Sequence, residues 1–432
     1  MLIKNKSVSK FVTRANPSKL FFRQTHKINK QSVKKALPKS ASDVMTYLER
    51  TPEYNNIIQS LPKFLLRKYK SPESMYLINE MTAKEIASTI RSFLNDSLPI
   101  VEVNPGLGIL SKELLQIHKK TRLYLYESSN SFAPVLEKQY PGRLNYKIAD
   151  FFGMWKLSFQ DKMDGGNRVA NLLGPLSTED NERVIKIVGA MPGLNFVKHL
   201  INTIVFHNTG NQLGRPDLFI TMPGHHFESL TNSCVNLGKH KALPALFQVL
   251  FDFKMLIKIP KVHFLPWTYS ANDKNFSVID DNCLYLVNIT QKEKLPCPPD
   301  YLPLLWYFFK PHTFSKTSRV IPLLEQWIPG CGVWLITGQD PPDTNKLLSP
   351  GEEDAPLPHM TIFTEFGDLN LQQKVTVFKR FISWPEFEQC PFRVTMENNL
   401  PKSVSAIDDD DDKNSRISAH IESDNSDSDN ES

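Results

Sequence analysis

The pattern of apolar and polar residues between positions 99 and 150 alternates between the periods of strands and helices. Ile100–Val103, Arg122–Tyr126 and Leu144–Ala149 are short apolar runs typical of buried strands, whereas Ile109–Ile117 and Ser131–Tyr140 carry apolar residues at helical spacing. This β-α-β-α-β order predicts a parallel sheet with right-handed crossover helices.

Apolar runs after residue 183 extend the predicted sheet. They predict strands at 184–189, 218–222, 253–259 and 284–289 and helices at 196–206 and 243–250. The late strands predict a sheet that is closed by an antiparallel strand. Between the two halves, residues 151–182 are polar and contain the turn pairs Gly165-Gly166 and Gly174-Pro175, which predict an irregular excursion over the sheet.

The residues before the first strand, 71–93, predict a helix. Its entry, Met75–Asn79, is expected to form a lip over a neighbouring pocket. The apolar residues that recur at near-helical spacing, and are therefore expected in the core, are Ile78, Met81, Ile86, Ile90 and Phe93.

Composition divides the chain into five segments. Residues 1–42 carry 11 Lys or Arg and no acid, which favours a mitochondrial transit segment over the alternative, a basic arm that binds RNA or DNA. Residues 403–432 carry 10 Asp or Glu against 2 Lys or Arg, which predicts a disordered acidic tail. Between these ends we expect a helical lead-in at 43–70, an α/β domain at 71–295 and a smaller, mainly helical C-terminal domain at 296–402.

Charge and cysteine content argue against several classes of protein. Residues 43–402 carry 38 basic and 36 acidic residues, so the net charge of +5 is no evidence for nucleic-acid binding. The 5 cysteines form no Cys-x-x-Cys pair, and therefore neither a metal site nor a disulfide framework is expected. No apolar run reaches the roughly 18 residues that a membrane span requires, so the sequence predicts no membrane association.

Acidic residues lie at the ends of the three predicted parallel strands. Glu102 is near the end of the first strand, Glu127 directly follows the second and Asp150 directly follows the third. Ligands bind at this edge of parallel sheets. The first strand also passes through Gly106 and Gly108 into a helix whose N-terminus attracts polar groups. These residues predict a site for a ribose-bearing cofactor; the alternative is an ordinary strand–helix turn.

The pattern resembles the S-adenosylmethionine site of the ribosomal RNA adenine dimethyltransferases. The resemblance is carried by Glu102-x-Asn104-Pro105-Gly106-Leu107-Gly108-Ile109-Leu110, followed by Glu127 and Asp150, and it covers about residues 70–290. It is strongest to the mitochondrial branch of the family, the transcription factor B proteins, whose second paralogous group also begins the loop with Asn-Pro-Gly. The resemblance implies a Rossmann-like methyltransferase sheet with S-adenosylmethionine as cofactor.

The resemblance also implies roles for individual residues. Gly106 and Gly108 would pass close to the methionine part of the cofactor. Glu127 would accept hydrogen bonds from both ribose hydroxyls, and Asp150 would accept one from the adenine amino group. Leu77, in the lip, would pack over the cofactor. The expected cofactor-binding set is Leu77, Glu102, Gly106, Gly108, Glu127 and Asp150.

The catalytic loop departs from the family pattern, which is Asn-Leu-Pro followed by Tyr or Phe. In the family, the asparagine side chain is a hydrogen-bond acceptor for the amino group of the target adenine. The aromatic ring of the Tyr or Phe stacks on the flipped base. This chain has Ala190-Met191-Pro192-Gly193, so both groups are missing, and Phe196 is the nearest candidate for a replacement ring. Because removal of one preorganised polar group lowers a rate by about 10²–10³, we expect methyltransferase activity that is weak or lost.

Two functions follow from the resemblance. The first is a mitochondrial transcription initiation factor in the matrix nucleoid, with the mitochondrial RNA polymerase and promoter DNA as partners. The second is an active mitochondrial small-subunit rRNA adenine N6,N6-dimethyltransferase, with that rRNA as partner. A small-molecule methyltransferase would share the fold and the acids, but nothing in the catalytic loop supports it.

Overall fold

The computed structural model of the protein describes most of the chain between residues 41 and 403. The predicted transit segment 1–42 and acidic tail 403–432 lie almost wholly outside the described residues. The described ranges are 41–94, 98–117, 122–140, 145–177, 184–206, 213–231, 242–268, 282–310, 315–338, 348, 351 and 354–403.

Helices and strands alternate through the first two thirds of these residues, and helices alone make up the last third. The strands are β1 (Lys68–Tyr69), β2 (Tyr76–Leu77), β3 (Ile100–Val103), β4 (Leu123–Glu127), β5 (Asn145–Ile148), β6 (Val184–Ala190), β7 (Arg215–Pro223), β8 (Phe251–Pro260), β9 (Phe264–Leu265), β10 (Trp267–Thr268) and β11 (Cys283–Gln291). The helices are α1 (Ala41–Arg50), α2 (Glu80–Ile90), α3 (Ile109–Ile117), α4 (Ala133–Gln139), α5 (Met154–Asp164), α6 (Arg168–Leu173), α7 (Asn195–Phe206), α8 (Gly224–Thr231), α9 (Ala242–Leu250), α10 (Leu302–Phe308), α11 (Val320–Glu325), α12 (Cys331–Thr337), α13 (Leu371–Ser383) and α14 (Phe392–Ser403).

A seven-stranded sheet in the order β5-β4-β3-β6-β7-β11-β8 organises the fold. The strands from β5 to β7 are parallel, and β11 is antiparallel to both of its neighbours. The predicted α/β sheet with an antiparallel closing strand is therefore confirmed. Since β3, β4, β5 and β6 run in the same direction, the loops that follow them meet at one edge of the sheet, which is where ligands bind in such folds.

Two hydrophobic clusters cover the two faces of the sheet, because successive side chains of a strand point to opposite faces. Val101 belongs to the cluster that includes the C-terminal helices, whereas Ile100 belongs to the cluster formed with α2 and α3. Glu102 lies on the same face as Ile100, between apolar neighbours. The functional edge is thus built on a sheet that is buried on both sides.

The segment before the sheet differs from the prediction. The lead-in is α-helical only over α1, and short 3-10 turns follow it at 52–54, 58–60 and 63–66. The predicted helix over 71–93 begins at Glu80, because the Asn79 side chain accepts a hydrogen bond from Thr82 N at 2.8 Å and caps the helix there. Met81 was expected in the core but is 66% exposed.

The prediction of an irregular excursion over 151–182 is wrong, since α5 and α6 occupy it. The left-handed Gly165, at φ 69°, ends α5. The sequence of this segment has no apolar face that would predict a helix, because large apolar residues of α5 point to solvent: Phe159 is 62% and Met163 is 73% exposed. Helices α8, α12 and α14 were also missed, α8 because Pro223-Gly224 is typical of a turn.

The C-terminal helices pack against the hydrophobic cluster that contains Val101 of the sheet. Trp306 of α10 makes an edge contact with Phe206 of α7 at 5.2 Å between ring centroids, and both residues lie in or against the same apolar cluster. The division into domains at 71–295 and 296–402 stays a prediction. Among the described residues, no helix combines the length and the apolar character needed to cross a membrane.

Candidate functional site

The loop Asn104–Gly108 connects β3 to α3 and brings backbone close to the sheet edge. Three of its residues have left-handed φ angles: Asn104 at 55°, Gly106 at 57° and Gly108 at 71°. Asparagine tolerates this region better than most residues, and the Asn104 side chain accepts a hydrogen bond from Ser128 N at 3.3 Å. Asn104 thus supports the tight turn at the start of the loop.

Glu102, on β3, is a buried acid with an unpartnered oxygen. Its residue is 2% exposed, and its Oε2 has no hydrogen-bond partner in the described part of the chain. Burial raises the pKa of Glu102 to about 8, although the Ser111 side chain lowers it, and the charge of Glu127 adds to the rise. The carboxyl is therefore protonated at neutral pH, and its unpartnered oxygen is suited to a polar ligand group in the same pocket, since an unsatisfied buried polar atom is unfavourable.

Glu127, the last residue of β4, is fully buried and is hydrogen-bonded by the protein itself. Its Oε1 accepts from Ser129 N at 2.8 Å and from the Tyr76 hydroxyl at 3.1 Å, and its Oε2 accepts from Gly106 N at 2.9 Å. Burial raises the pKa of Glu127 to about 7 although these bonds favour the charged form. The carboxylate that is predicted to bind the ribose is therefore already hydrogen-bonded to a tyrosine hydroxyl and to two backbone N–H groups.

Asp150 follows β5 and is exposed at the same edge of the sheet. Its Oδ1 accepts a hydrogen bond from Gly153 N at 2.8 Å, just before α5 begins. The other oxygen lies so close to Gly153 that a Cβ there would be 2.2 Å from Asp150 Oδ2. Because Gly153 has no side chain, the backbone can pass close to the Asp150 carboxylate, which remains accessible to a ligand.

A cavity of about 20 Å³ lies beside the loop, which is room for about one water. Of the six predicted cofactor-binding residues, Leu77 and Glu102 line it, together with Asn104 and Pro105 of the loop and Ala190 of the catalytic-loop position. Leu77 pairs with Phe264 in the short β2–β9 ladder, so the lip expected at 75–79 exists as a strand rather than as a helix entry. The cofactor-binding roles of the six residues stay predictions.

The Ala190–Gly193 loop follows β6 at this edge. Ala190 is 7% exposed, and its methyl group offers no hydrogen-bond acceptor to a ligand. The carbonyl of Pro192 accepts a hydrogen bond from His226 Nε2 at 2.9 Å, which ties the loop to α8. A Cβ placed on Gly193 would meet no atom within 4 Å, so a side chain could start there without a clash.

The suggestion that Phe196 replaces the missing ring is wrong. Phe196 is 1% exposed, and its ring packs against Phe151 at 5.9 Å and Phe152 at 5.2 Å between centroids. A ring held inside the core cannot receive a flipped base. Residues 190–196 therefore offer no exposed aromatic ring in place of the stacking ring of the family loop.

Two residues of the site were missed by the sequence reasoning. Tyr76 reaches Glu127 across 51 positions of sequence, and His226 reaches Pro192 across 34. The apolar pattern of residues 71–93 does not indicate the contact of Tyr76 with Glu127. The contact of His226 with Pro192 depends on helix α8, which was not predicted because Pro223-Gly224 is typical of a turn.

Comparisons with known proteins agree with this geometry. A family model described as ribosomal RNA adenine dimethylase matches residues 66–304. A Drosophila melanogaster protein named dimethyladenosine transferase 2, mitochondrial is 33% identical over 380 residues, which cover 80% of this chain and 84% of that protein.

Two of the solved structures with some similarity are named as enzymes that methylate rRNA. The 23S rRNA methyltransferase ErmE has a TM-score of 0.42 and 13% identity over 71% of this chain and 99% of its own. An rRNA methylase from Streptococcus thermophilus has a TM-score of 0.24 and 13% identity over 49% of this chain and 95% of its own. At these TM-scores the structures add nothing to the family assignment, which rests on the family model and the fly protein.

Proposed function

Because the chain belongs to the ribosomal RNA adenine dimethylase family of S-adenosylmethionine-dependent methyltransferases, we propose that it uses the family fold as a mitochondrial transcription initiation factor. In this role it binds the mitochondrial RNA polymerase and helps to open promoter DNA in the matrix nucleoid. Two features support the location: the fly relative is named mitochondrial, and residues 1–42 are basic and acid-free.

The observation that carries the proposal is the catalytic loop. The sheet, the glycine loop and the three acids are present, whereas Ala190 and Gly193 stand where methylation of an adenine amino group needs an acceptor and a ring. Phe196 is in the core and cannot compensate. A protein that keeps the scaffold without the parts that act on the base is better suited to binding than to methyl transfer.

Helix α5 offers a surface for a melted DNA strand. Phe159 is 62% exposed, and Trp155 lies one turn before it with the Lys156 ammonium 5.6 Å from its ring centroid. Exposed aromatic rings stack on unpaired bases, and lysines next to them contact phosphates. Since α5 begins a few residues after Asp150, this surface is near the functional edge of the sheet. We propose that it contacts single-stranded promoter DNA.

A promoter-dependent run-off assay with the matching mitochondrial RNA polymerase tests the role. We expect transcription to require this protein, and transcripts of equal amount without it would refute the proposal. Phe159→Ala should reduce run-off product on duplex promoter but have less effect on a template with a pre-melted start site. Phe363→Ala is the matched control, because Phe363 is 65% exposed but lies outside α5, beside Arg319.

The alternative function is an active mitochondrial small-subunit rRNA adenine N6,N6-dimethyltransferase, which the name of the fly relative favours. S-adenosylmethionine supplies the electrophilic methyl group when it is bound. Two features suit the methionine part of this cofactor: Glu102 Oε2 is buried without a partner in the described residues, and Gly106 and Gly108 bring the backbone close. The cavity beside them holds about one water, so it has to widen to admit the cofactor. The ribose side is closed, because Glu127 is engaged by Tyr76.

Mapping of dimethylated adenosines in the small-subunit rRNA after depletion decides between the two functions. Unchanged methylation, together with lost run-off transcription, supports the initiation factor; lost methylation supports the enzyme. The double variant Ala190→Asn, Gly193→Tyr restores both groups of the family loop. If the loop limits activity, this variant should methylate an rRNA substrate more than tenfold faster than the wild type.

A further inference from the structure

The Tyr76 hydroxyl takes part in the hydrogen bonds around Glu127 with its proton and with both of its lone pairs. The hydroxyl donates to Glu127 Oε1 at 3.1 Å, accepts from Ser74 Oγ at 3.2 Å and pairs with Ser128 Oγ at 3.1 Å. A tyrosine hydroxyl has one proton and two lone pairs, so these three contacts satisfy it completely.

The ring of Tyr76 is fixed in place as firmly as its hydroxyl. The residue is 2% exposed, its ring packs on Phe132 at 4.8 Å between centroids, and its backbone pairs with Leu265 in the β2–β9 ladder. The ring lies over the glycine loop, since a Cβ on Gly106 would approach Tyr76 Cδ1 to 2.9 Å. Tyr76 therefore fills the space between the loop and the end of β4.

A ribose cannot bind Glu127 through both of its hydroxyls while the Tyr76 hydroxyl is bonded to the carboxylate. An ionised carboxylate has about four acceptor positions, and Tyr76, Ser129 and Gly106 fill three of them. Two ribose hydroxyls need two positions, so one present donor has to leave. Ser129 and Gly106 donate through backbone N–H groups of the turns that define the site, which leaves the Tyr76 side chain as the group that can move.

We propose that Tyr76 is a built-in cap on the nucleoside half of the cofactor pocket, and that its displacement limits the affinity for S-adenosylmethionine. The cap is part of the lip formed by β2, whose next residue, Leu77, lines the small cavity beside Glu102. One short strand thus covers Glu127 with one residue and reaches the Glu102 cavity with the next. This inference rests on membership of the family and is independent of a role in transcription.

Isothermal titration of the full chain with S-adenosylhomocysteine tests the cap. Tyr76→Phe keeps the ring and removes only the hydroxyl, so it should lower Kd by roughly tenfold, the change expected when binding no longer breaks a hydrogen bond to a charged group. Tyr76→Ala should lower Kd at least as far, provided that its thermal unfolding shows a folded protein. If it does not fold, Tyr76→Phe decides alone.

The matched control is Tyr140→Phe. The Tyr140 hydroxyl donates to the carbonyl of Gly108 at 3.0 Å, on the same loop, without contact to Glu127. Its Kd should stay within twofold of the wild type. The proposal is overturned if Tyr76→Phe binds no more tightly than the wild type, including the case in which neither binds, or if Tyr140→Phe gains as much affinity. Run-off transcription is measured separately, so a negative titration leaves the proposed function standing.

Discussion

The buried carboxyl of Glu102 gives a sharp prediction for the pH dependence of stability. Its pKa rises from 4.5 to about 8 on folding, because the folded protein removes the group from water. Between these values the folded state holds a proton that the unfolded state releases, so the free energy of unfolding falls as the pH rises. The stability contribution is therefore complete at acidic pH and is lost between about pH 4.5 and 8.

The size of the effect follows from the same two pKa values. Linkage gives a loss of roughly 2–3 kcal/mol between pH 5 and pH 7 from this one residue. Glu102→Gln keeps the shape of the side chain but cannot ionise. Any cost of the buried amide is the same at every pH, and therefore only the pH-dependent difference between the two proteins reports the carboxyl.

Urea unfolding at pH 5, 6, 7 and 8, followed by tryptophan fluorescence, measures this difference. Relative to the wild type, Glu102→Gln should gain about 2–3 kcal/mol on going from pH 5 to pH 7. Glu137→Gln, on the exposed side of α4, is the control and should track the wild type. A difference for Glu102→Gln that stays within about 0.5 kcal/mol over this range would refute the reasoning.

Further predictions concern the turn, the far end of the sheet and the core, each measured by denaturant unfolding. Asn104→Ala should lose about 1–2 kcal/mol, because alanine is strained at φ 55°, whereas Asn104→Gly should be nearly neutral; equal effects would contradict this. Asp217→Ala should lose about 3–5 kcal/mol, because it leaves the nearly buried Lys186 ammonium without its ion pair. Phe196→Ala should cost about 3–5 kcal/mol as a core truncation, and a cost below 1 kcal/mol would show that the ring is not part of the core.

Strands and helices with a buried periodic face could be predicted well from the sequence. Ile100–Val103 and Ile109–Ile117 have the predicted bounds, since both bury their apolar residues and a glycine turn separates them. Because parallel strands deliver their ends to one edge, the sequence also predicted that Glu102, Glu127 and Asp150 lie along that edge. These inferences depend on local periodicity and on one topological rule.

Features that depend on distant contacts could not be predicted in this way. Helix α5 lacked a readable pattern because Phe159 and Met163 point to solvent. The burial of Phe196 depends on Phe151 and Phe152, which come from a different connection of the sheet. Tyr76 and Glu127 are 51 positions apart in the sequence. The residues near either position do not indicate the hydrogen bond between them.

The open space at Gly193 bears on whether the change in this loop can be reversed in evolution. When an ancestral side chain is lost, neighbours that drift into its volume make its return unfavourable, and the loss becomes permanent. Here a Cβ at position 193 still meets no atom within 4 Å. Position 190 is more confined, with Ala190 only 7% exposed at the end of β6. The first atom of a returning side chain therefore has room at position 193, whereas position 190 is confined.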